Sequence, residues 1–400
     1  MSDRIDCVVA GHICLDVTPE IPSGGRSISE IFRPGTLVQI GSPTVSTGGP
    51  VSNTGLPLRR LGVNVKLMGK CGDDMFGRAI VDCVRREAPG AEAGMIVVPG
   101  EQTSYTVVVA PPGIDRIFLH CTGANDTFDS SDIDLDVVRD ARLFHFGYPP
   151  LMARTYANEG EQLEKIFAEV KDAGATTSLD CAYPDPSGPA GQADWDKIFA
   201  RTLKHVDIFT PSVEELTLML EPMEFQRLMA EAGEDEMLKV IDGQLLRKLA
   251  DRCIRNGAGV VLIKCGYLGS YVRTAGPERL EKFGAAKVGD IENWANRELF
   301  EPSYKVDTIV SATGAGDCAI AAFLAAFLRQ TSLEDALRSA CAVGGQNLSA
   351  PDSVSGVRSW EETVAQVADR PEKNDVAIPL EGFAYNEGES HYTGPDDRKG

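Results

Sequence analysis

Short apolar runs alternate with stretches of helical periodicity along most of the chain. The runs most typical of buried strands are residues 5–9, 63–67, 143–146, 177–179, 206–209 and 260–263. Between most of them lie amphipathic segments, in which apolar residues recur every three or four positions. This alternation predicts a doubly wound α/β fold, in which helices cover both faces of a mostly parallel sheet.

Four segments depart from that alternation. Residues 18–46 and 103–121 are β-rich, and we predict that they form a small β lid over one edge of the main domain. Residues 221–242 are rich in Met and Glu at helical spacing and are typical of an inserted surface helix or helix pair. Residues 371–400 are polar and rich in Gly, Pro and Asp, which predicts a loosely ordered or surface-wrapping tail. The main domain is therefore expected at residues 1–370.

Composition narrows the classes of partner. A net charge of −20 repels polyanions, so we expect no nucleic-acid partner. No run approaches the roughly 20 apolar residues of a membrane helix, and the first residues lack a secretory pattern, so a cytoplasmic protein without a membrane partner is expected. The ten cysteines never occur as C-x-x-C and are typical of reduced, mostly buried thiols.

The segment richest in chemistry precedes an apolar, Ala-rich helix at residues 318–328. Residues 311–317 read Ser-Ala-Thr-Gly-Ala-Gly-Asp. Small residues let backbone N–H groups face an anion at the positive end of a helix dipole. A carboxylate beside that anion can accept the proton of an attacking hydroxyl. We therefore predict a phosphoryl-transfer site, with the catalytic residues Gly314, Ala315, Gly316 and Asp317.

The same glycines allow other interpretations. Gly314, Gly316 and Ala319 fit the loose dinucleotide fingerprint G-x-G-x-x-A, which would indicate an oxidoreductase. That fold also needs an acidic residue at the end of the next strand, whereas Glu334 and Asp335 fall in a predicted helix start. A P-loop is absent, because the chain's one Gly-Lys pair lacks the following Ser or Thr. A Gly-rich helix start without a ligand is the remaining structural alternative.

A second glycine-rich segment points to a polyol. Gly48 and Gly49 expose backbone to a ligand, and Asn53, one turn into the next helix, offers both a donor and an acceptor. Residues 69–77 then match G-x-x-G-x-D-x-F-G. These motifs, followed by T-G-A-G-D at residues 313–317, resemble the ribokinase/PfkB family of carbohydrate kinases. The resemblance spans residues 5–356.

The resemblance implies a ribokinase-like kinase that uses ATP and Mg²⁺ to phosphorylate a hydroxyl of a sugar or polyol. Asp16 matches the family carboxylate that binds substrate hydroxyls, together with Gly48, Gly49 and Asn53. His12 lies four residues before Asp16 and is expected to line the same pocket.

Metal binding is implied by a third motif. Residues 211–216 resemble the family's P-N-x-x-E-L, in which the Glu organises Mg²⁺, so Glu215 is the expected metal residue. Ser212 replaces the family Asn, which leaves the direct phosphate contact from this position open. Ser311 and Ala312 stand where the family carries Asp-Thr beside a monovalent-cation site, so dependence on K⁺ is also left open.

The nucleotide site is implied by two more matches. Residues 264–269 match the G-x-x-G turn that lies against the nucleotide, with Gly266 and Gly269 as its glycines and Lys264 where the family often has Thr. Thr313 opens the T-G-A-G-D motif and is assigned to the nucleotide. Asn347 matches the wall of the adenine pocket.

Lids in this family often pair across a dimer, so the resemblance implies a homodimer whose lid closes over the substrate. Two further hypotheses remain open: a nucleoside kinase of the same fold, and a catalytically silent homologue that binds a sugar as a signal. Asp317 and Glu215, both intact, favour an active enzyme. No motif fixes which sugar is bound, because specificity rests on a few hydrogen bonds and on lid shape.

Overall fold

The structure is a computed structural model that describes residues 4–21, 31–111, 116–233 and 236–398. Parts of the segments singled out above lie outside the described residues. These parts are residues 22–30 and 112–115 of the expected lid, residues 234–235 of the expected insertion, and residues 399–400 of the tail.

The main sheet contains eleven strands within the described ranges. They are β1 Ile5–Gly11, β4 Val65–Gly72, β5 Met95–Val98, β8 Ala141–Gly147, β9 Thr176–Asp180, β10 Ile208–Phe209, β11 Val260–Lys264, β12 Gly269–Thr274, β13 Glu298–Pro302, β14 Ala384–Asn386 and β15 His391–Thr393. Their order is β14-β15-β13-β12-β11-β10-β9-β8-β1-β4-β5. All six predicted strand segments overlap strands of this sheet.

Seven neighbouring strands, from β5 to β11, pair in parallel. The strands that follow, β12, β13, β15 and β14, pair antiparallel along the other edge. Alternate residues of β1 pack on opposite faces of the sheet: Val8 joins one apolar cluster, and Cys7 and Val9 join another. A strand buried on both faces needs a continuous apolar run, which β1 supplies. The predicted doubly wound fold is confirmed.

Helices cover both faces of the sheet. The described helices are α1 Pro50–Asn53, α2 Gly55–Arg60, α3 Met75–Glu87, α4 Leu135–Arg139, α5 Ala153–Asp172, α6 Trp195–Thr202, α7 Val213–Leu220, α8 Pro222–Ala232, α9 Gly243–Arg255, α10 Pro277–Leu280, α11 Ile291–Trp294, α12 Ala315–Leu328, α13 Leu333–Asn347 and α14 Trp360–Ala368. Residues 157–160 interrupt α5 with non-helical backbone angles. Within the described ranges, no helix is both long enough and apolar enough to span a bilayer.

A separate four-stranded sheet forms the lid. It contains β2 Cys14–Pro19, β3 Pro43–Gly48, β6 Tyr105–Val109 and β7 Ile117–Cys121, in the order β3-β2-β6-β7. Its strands come from or border the two segments that the sequence predicts to be β-rich. Because β2 begins three residues after β1 ends, the lid sheet is joined to the edge of the main sheet where the parallel strands end.

The C-terminal residues complete the antiparallel edge. Strands β14 and β15 form a hairpin, and β15 pairs with β13 through Leu299 and Phe300. Upstream of the hairpin, Lys373 pairs with Tyr304 in an isolated bridge and donates to the buried Glu301 carboxylate at 2.5 Å. The segment predicted as an inserted helix contains α8 and a short 3-10 turn at Met237–Lys239.

Candidate active site

Polar side chains gather where the parallel strands end. His12 follows β1, Tyr148 follows β8, Asp180 is the last residue of β9, and Lys264 is the last residue of β11. Parallel strands bring their carboxyl ends to one edge of a sheet, which is where ligands bind in open α/β folds. Helix α12 begins near the same edge, because its first turn carries Asp317, which contacts Tyr148.

Asp317 is 5% exposed and holds two hydroxyl groups. The Tyr148 hydroxyl donates to Asp317 Oδ2 at 2.8 Å, and the Thr54 hydroxyl donates to Asp317 Oδ1 at 3.2 Å. Burial raises the pKa of the Asp317 carboxyl, although the Lys264 charge and the two hydroxyls favour its ionised form. The carboxylate is thus fixed in orientation and is a stronger base than an exposed Asp.

A buried ion pair lies next to that carboxylate. Lys264 Nζ is 2.6 Å from Asp180 Oδ1, and the Asp180 side chain is 1% exposed. Burial opposes the charge on Lys264, but Asp180, Glu215 and Asp317 outweigh it and hold the Lys264 pKa above its ordinary value. These three acidic groups therefore favour the charged form of Lys264.

Gly314, before α12, is required by close packing, and Gly316 lies in the first turn of that helix. Gly314 caps the helix in the left-handed region, at φ 72°, and a Cβ there would lie 2.2 Å from Ser353 Cβ. A Cβ at Gly316 would lie 3.5 Å from Lys264 Cδ, so the bare backbone of this residue faces the lysine side chain. The Ala315 N–H is used within the turn, donating to Ala312 O at 3.3 Å. The next N–H groups, of Gly316 and Asp317, have no acceptor within the helix.

Glu215 belongs to a capping box at the start of α7. The Ser212 hydroxyl accepts from Glu215 N at 3.2 Å, and Glu215 Oε2 accepts from Ser212 N at 2.7 Å. Ser212 pairs with Lys264 in a parallel bridge, and the Glu215 charge acts on Lys264. The capping box therefore holds the Glu215 carboxylate close to the Lys264 cation.

The other expected nucleotide residues lie on two nearby segments. Gly266 and Gly269, at φ 52° and 125°, form the turn between β11 and β12, and a Cβ at Gly269 would lie 2.1 Å from Glu301 O. Asn347 Nδ2 donates to Thr313 O at 2.9 Å, which ties the end of α13 to the loop before α12. Asn347 Oδ1 is buried and has no partner among the described residues.

The expected substrate residues form a second group. A Cβ at Gly48 would lie 2.4 Å from Asp16 Oδ2, and one at Gly49 would lie 2.5 Å from His12 Nδ1, so neither glycine can be replaced without displacing a neighbour. Burial raises the pKa of Asp16. Asn53 Oδ1 accepts from the Ser353 hydroxyl at 2.6 Å.

These two groups are joined by direct contacts. The hydroxyl of Thr54, next to Asn53, donates a hydrogen bond to Asp317. The ring centroids of His12 and Tyr148 are 6.0 Å apart. Ser353 contacts Asn53 and also packs against Gly314. The structure thus brings the expected substrate residues and residues 311–317, the expected phosphate loop, into one continuous site.

Sequence reasoning missed four residues here. Three of them contact Asp317 or Lys264: Tyr148, Thr54 and Asp180. The fourth is Arg116 of the lid, whose Nη1 donates to Ser311 Oγ at 3.1 Å. A carboxylate at the end of an apolar strand was a usable signal for Asp180. The sequence around Tyr148 carries no comparable motif, because the contact of Tyr148 with Asp317 spans 169 residues.

A cleft of about 890 Å³ lies elsewhere. Its walls come from α13, α14 and the C-terminal residues, and include Tyr304, Arg338, Trp360, Lys373 and Tyr392. It contains none of the motif residues. This cleft is therefore distinct from the candidate site.

Comparison with known proteins defines the class. The family model described as "pfkB family carbohydrate kinase" matches residues 6–359. The chain belongs to the pfkB family of carbohydrate kinases, as the motifs predict, and its enzyme class is that of a carbohydrate kinase.

Individual relatives agree with this class. A protein of Archaeoglobus fulgidus named "uncharacterized sugar kinase" is 25% identical over 276 residues, which cover 68% of this chain and 86% of that protein. A probable chloroplastic fructokinase-6 of Arabidopsis thaliana is 24% identical over 278 residues, covering 68% of this chain and 61% of that protein. The structure of Arabidopsis thaliana ribokinase complexed with ribose and ATP superimposes with a TM-score of 0.63 at 19% identity, covering 90% of this chain and 98% of that one, which shows the shared fold.

Proposed function

We propose that this kinase transfers the γ-phosphoryl group of ATP to a hydroxyl of a sugar or sugar-like polyol, with Asp317 as general base. The observation that carries the proposal is the buried Asp317 carboxylate at the start of α12, held by Tyr148 and Thr54 beside the Lys264 cation. A base with a raised pKa is better matched to proton abstraction near neutral pH than an ordinary Asp.

The proposed reaction uses these groups as follows. The substrate hydroxyl gives its proton to Asp317 as its oxygen bonds the γ-phosphorus, and the bond from that phosphorus to the bridging oxygen of ADP breaks. Negative charge on the transferring group is stabilised by the N–H groups at the start of α12, which have no acceptor within the helix, and by Lys264. Tyr148 and Thr54 keep the carboxylate pointing at one position.

The nucleotide residues fit this role. A bare Gly316 backbone faces Lys264, and the unpartnered buried Asn347 Oδ1 offers an acceptor to the exocyclic amine of a purine. Glu215 would hold Mg²⁺ through water, because one of its oxygens is occupied by the Ser212 N–H. Mg²⁺ would supply neutralisation of the phosphate charge. The Arabidopsis ribokinase of the same fold is complexed with ribose and ATP, which supports the same pairing of ligands here.

The substrate would lie under the lid. Asp16 offers acceptor oxygens to a polyol. Gly48, which packs against Asp16, and Gly49, which packs against His12, offer exposed backbone, as expected from the motifs. Lid residue Arg116 contacts the Ser311 side chain of the phosphate loop, which supports a lid that closes over both ligands. We extend the proposal to a homodimer formed through the lids, to be tested by sedimentation, and leave K⁺ dependence to direct assay.

A panel of sugars, sugar acids, polyols and nucleosides, assayed for ATP consumption, tests this function. Turnover of a sugar or sugar acid supports it. Preference for a nucleoside would indicate the nucleoside-kinase alternative, and sugar binding without turnover would indicate the silent homologue. Binding of NAD(P)H without ATP binding would instead favour an oxidoreductase.

A further inference from the structure

Three metal-ligating side chains meet where the lid joins the main sheet. His12 and Cys14 flank Ile13 at the junction of β1 and β2, and His120 lies on the lid strand β7. One potential ligand atom from each of the three lies within 4.8 Å of the other two. His12 and Cys14 are buried and His120 is half-buried, so the cluster belongs to the interior of the junction.

The lid register creates this cluster. Asp16 pairs with Thr106 across β2 and β6, and Thr106 pairs with His120 across β6 and β7. Cys14 lies two residues before Asp16 and thus points to the same face of β2. Its Sγ is 3.6 Å from Thr106 Oγ1, which lies 3.0 Å from His120 Nδ1. Ligands far apart in sequence are therefore fixed by strand pairing.

The spacing of the imidazoles suits a tetrahedral ion. His12 Nε2 and His120 Nε2 are 3.3 Å apart. Bonds of about 2.0–2.1 Å from zinc to nitrogen at the tetrahedral angle separate two such nitrogens by about 3.3–3.4 Å. Thr106 is placed to accept the Nδ1 proton of His120, which leaves the Nε2 lone pair of His120 directed at the cluster. Such a second partner orients metal-bound histidines.

We propose that His12, Cys14 and His120 bind Zn²⁺ or a similar thiophilic divalent ion, which clasps the lid sheet to the main sheet. Imidazole and thiolate ligands favour such ions over Mg²⁺ or Ca²⁺. On binding, the Cys14 thiol releases its proton to solvent and its sulfur bonds the ion, without any change of oxidation state. Three protein ligands leave a fourth position open to water.

The site has a consequence that rests on the proposed function. Cys14 Sγ lies 3.3 Å from Asp16 Oδ1, so an ion held by Cys14 lies next to the expected sugar-binding carboxylate. Ion and sugar then compete, and Zn²⁺ inhibition is overcome by sugar but not by ATP.

Co²⁺, which reports thiolate ligation by a charge-transfer band, tests the site on the whole protein. Wild type is expected to bind one Co²⁺ with this band and to release it to Zn²⁺. Cys14→Ser should abolish the band, and His120→Ala should weaken binding by more than the roughly 10–100-fold typical of outer-shell changes. Cys121→Ser and His205→Ala, which remove half-buried residues outside the cluster, should leave the band intact.

Absence of the band in wild type, or equal Co²⁺ affinity in wild type and His120→Ala, would overturn the metal site. Circular dichroism identifies a variant that has not folded, and if Cys14→Ser is one, the half-buried His120→Ala decides. A kinase that turns over sugar but binds no Co²⁺ removes the metal site alone. If the protein binds Co²⁺ but consumes no ATP with any substrate of the panel, the metal site is supported and the proposed kinase function is contradicted.

Discussion

The Tyr148 hydroxyl donates a 2.8 Å hydrogen bond to Oδ2 of Asp317, across 169 residues of chain. Tyr148 adopts the left-handed region at φ 65°, directly after β8. Holding a non-glycine residue in this conformation costs energy, and residues held in this way are enriched at functional sites. The position of Tyr148 is thus specified by its surroundings, and its hydroxyl orients the proposed base.

Tyr148→Phe should move the acid limb of the pH profile of kcat/KM to higher pH. The lost hydrogen bond favours the ionised form of Asp317, so its removal raises the Asp317 pKa further, and the base is lost at a higher pH. Tyr156→Phe, a half-buried tyrosine of α5, is the matched control. If the acid limb of the kcat/KM profile does not move, the ionisation of Asp317 does not determine that limb.

Asp317→Asn should lower kcat by about 10²–10⁴, the range typical of a general base, with little change in the binding of ATP or sugar. The amide has nearly the same shape but cannot accept the proton. Asp335→Asn controls for a charge at a helix start, because Asp335 is likewise the third residue of its helix, α13, and is exposed. Turnover of Asp317→Asn within a few-fold of wild type would assign the base to another group.

Glu215→Gln should raise the Mg²⁺ concentration needed for half-maximal rate by roughly 10–100-fold and leave the KM for sugar near wild type. Gln preserves the capping box, so the helix start should stay intact. Glu362→Gln changes the same motif in α14, at an exposed position, and should have no such effect. Wild-type rates at low Mg²⁺ would remove Glu215 from the metal site.

Lys264→Met should lower the free energy of unfolding by about 3–5 kcal/mol, because it leaves Asp180 buried without its cation. Adding Asp180→Asn to Lys264→Met should recover part of the lost free energy of unfolding. Lys197→Met breaks exposed ion pairs with Glu159 and Asp194 and should cost at most about 1 kcal/mol. Denaturant unfolding measures all three, and similar losses for the two lysines would show that the buried pair contributes no more than a surface pair.

Glu301→Gln should flatten the pH dependence of stability. Burial raises the Glu301 pKa from 4.5 to about 7, against the Lys373 charge. The folded state therefore holds an extra proton between these values, and its stabilising effect is present below about pH 4.5 and lost as the pH rises through about 7. Urea unfolding on both sides of that window should show a decline in wild type and in the exposed control Glu281→Gln, but a smaller one in Glu301→Gln.

The start of α12 could be predicted from the sequence because its chemistry is local. Gly314 is required at the helix cap, and Gly316 and Asp317 follow it within the first turn. Likewise, Ser212 and Glu215 lie three residues apart, so the motif itself contains the capping geometry.

Contacts set by strand order could not be predicted in this way. Tyr148 reaches Asp317 only because the end of β8 lies near the start of α12, and Lys264 reaches Asp180 because β10 alone separates β9 from β11. His120 meets His12 through the register of the lid. Such pairings depend on which strands become neighbours, and no local pattern around any of these residues encodes that choice.

The pairing of β13 with β15 joins Leu299 and Thr393, which are 94 residues apart along the chain. Closing so long a loop costs entropy that local contacts do not repay, so this contact should form late in folding. Until then β13 has unpaired backbone groups along one side, which another chain can bind as an added strand. Aggregation during refolding should therefore be governed by how quickly the hairpin of β14 and β15 docks onto β13.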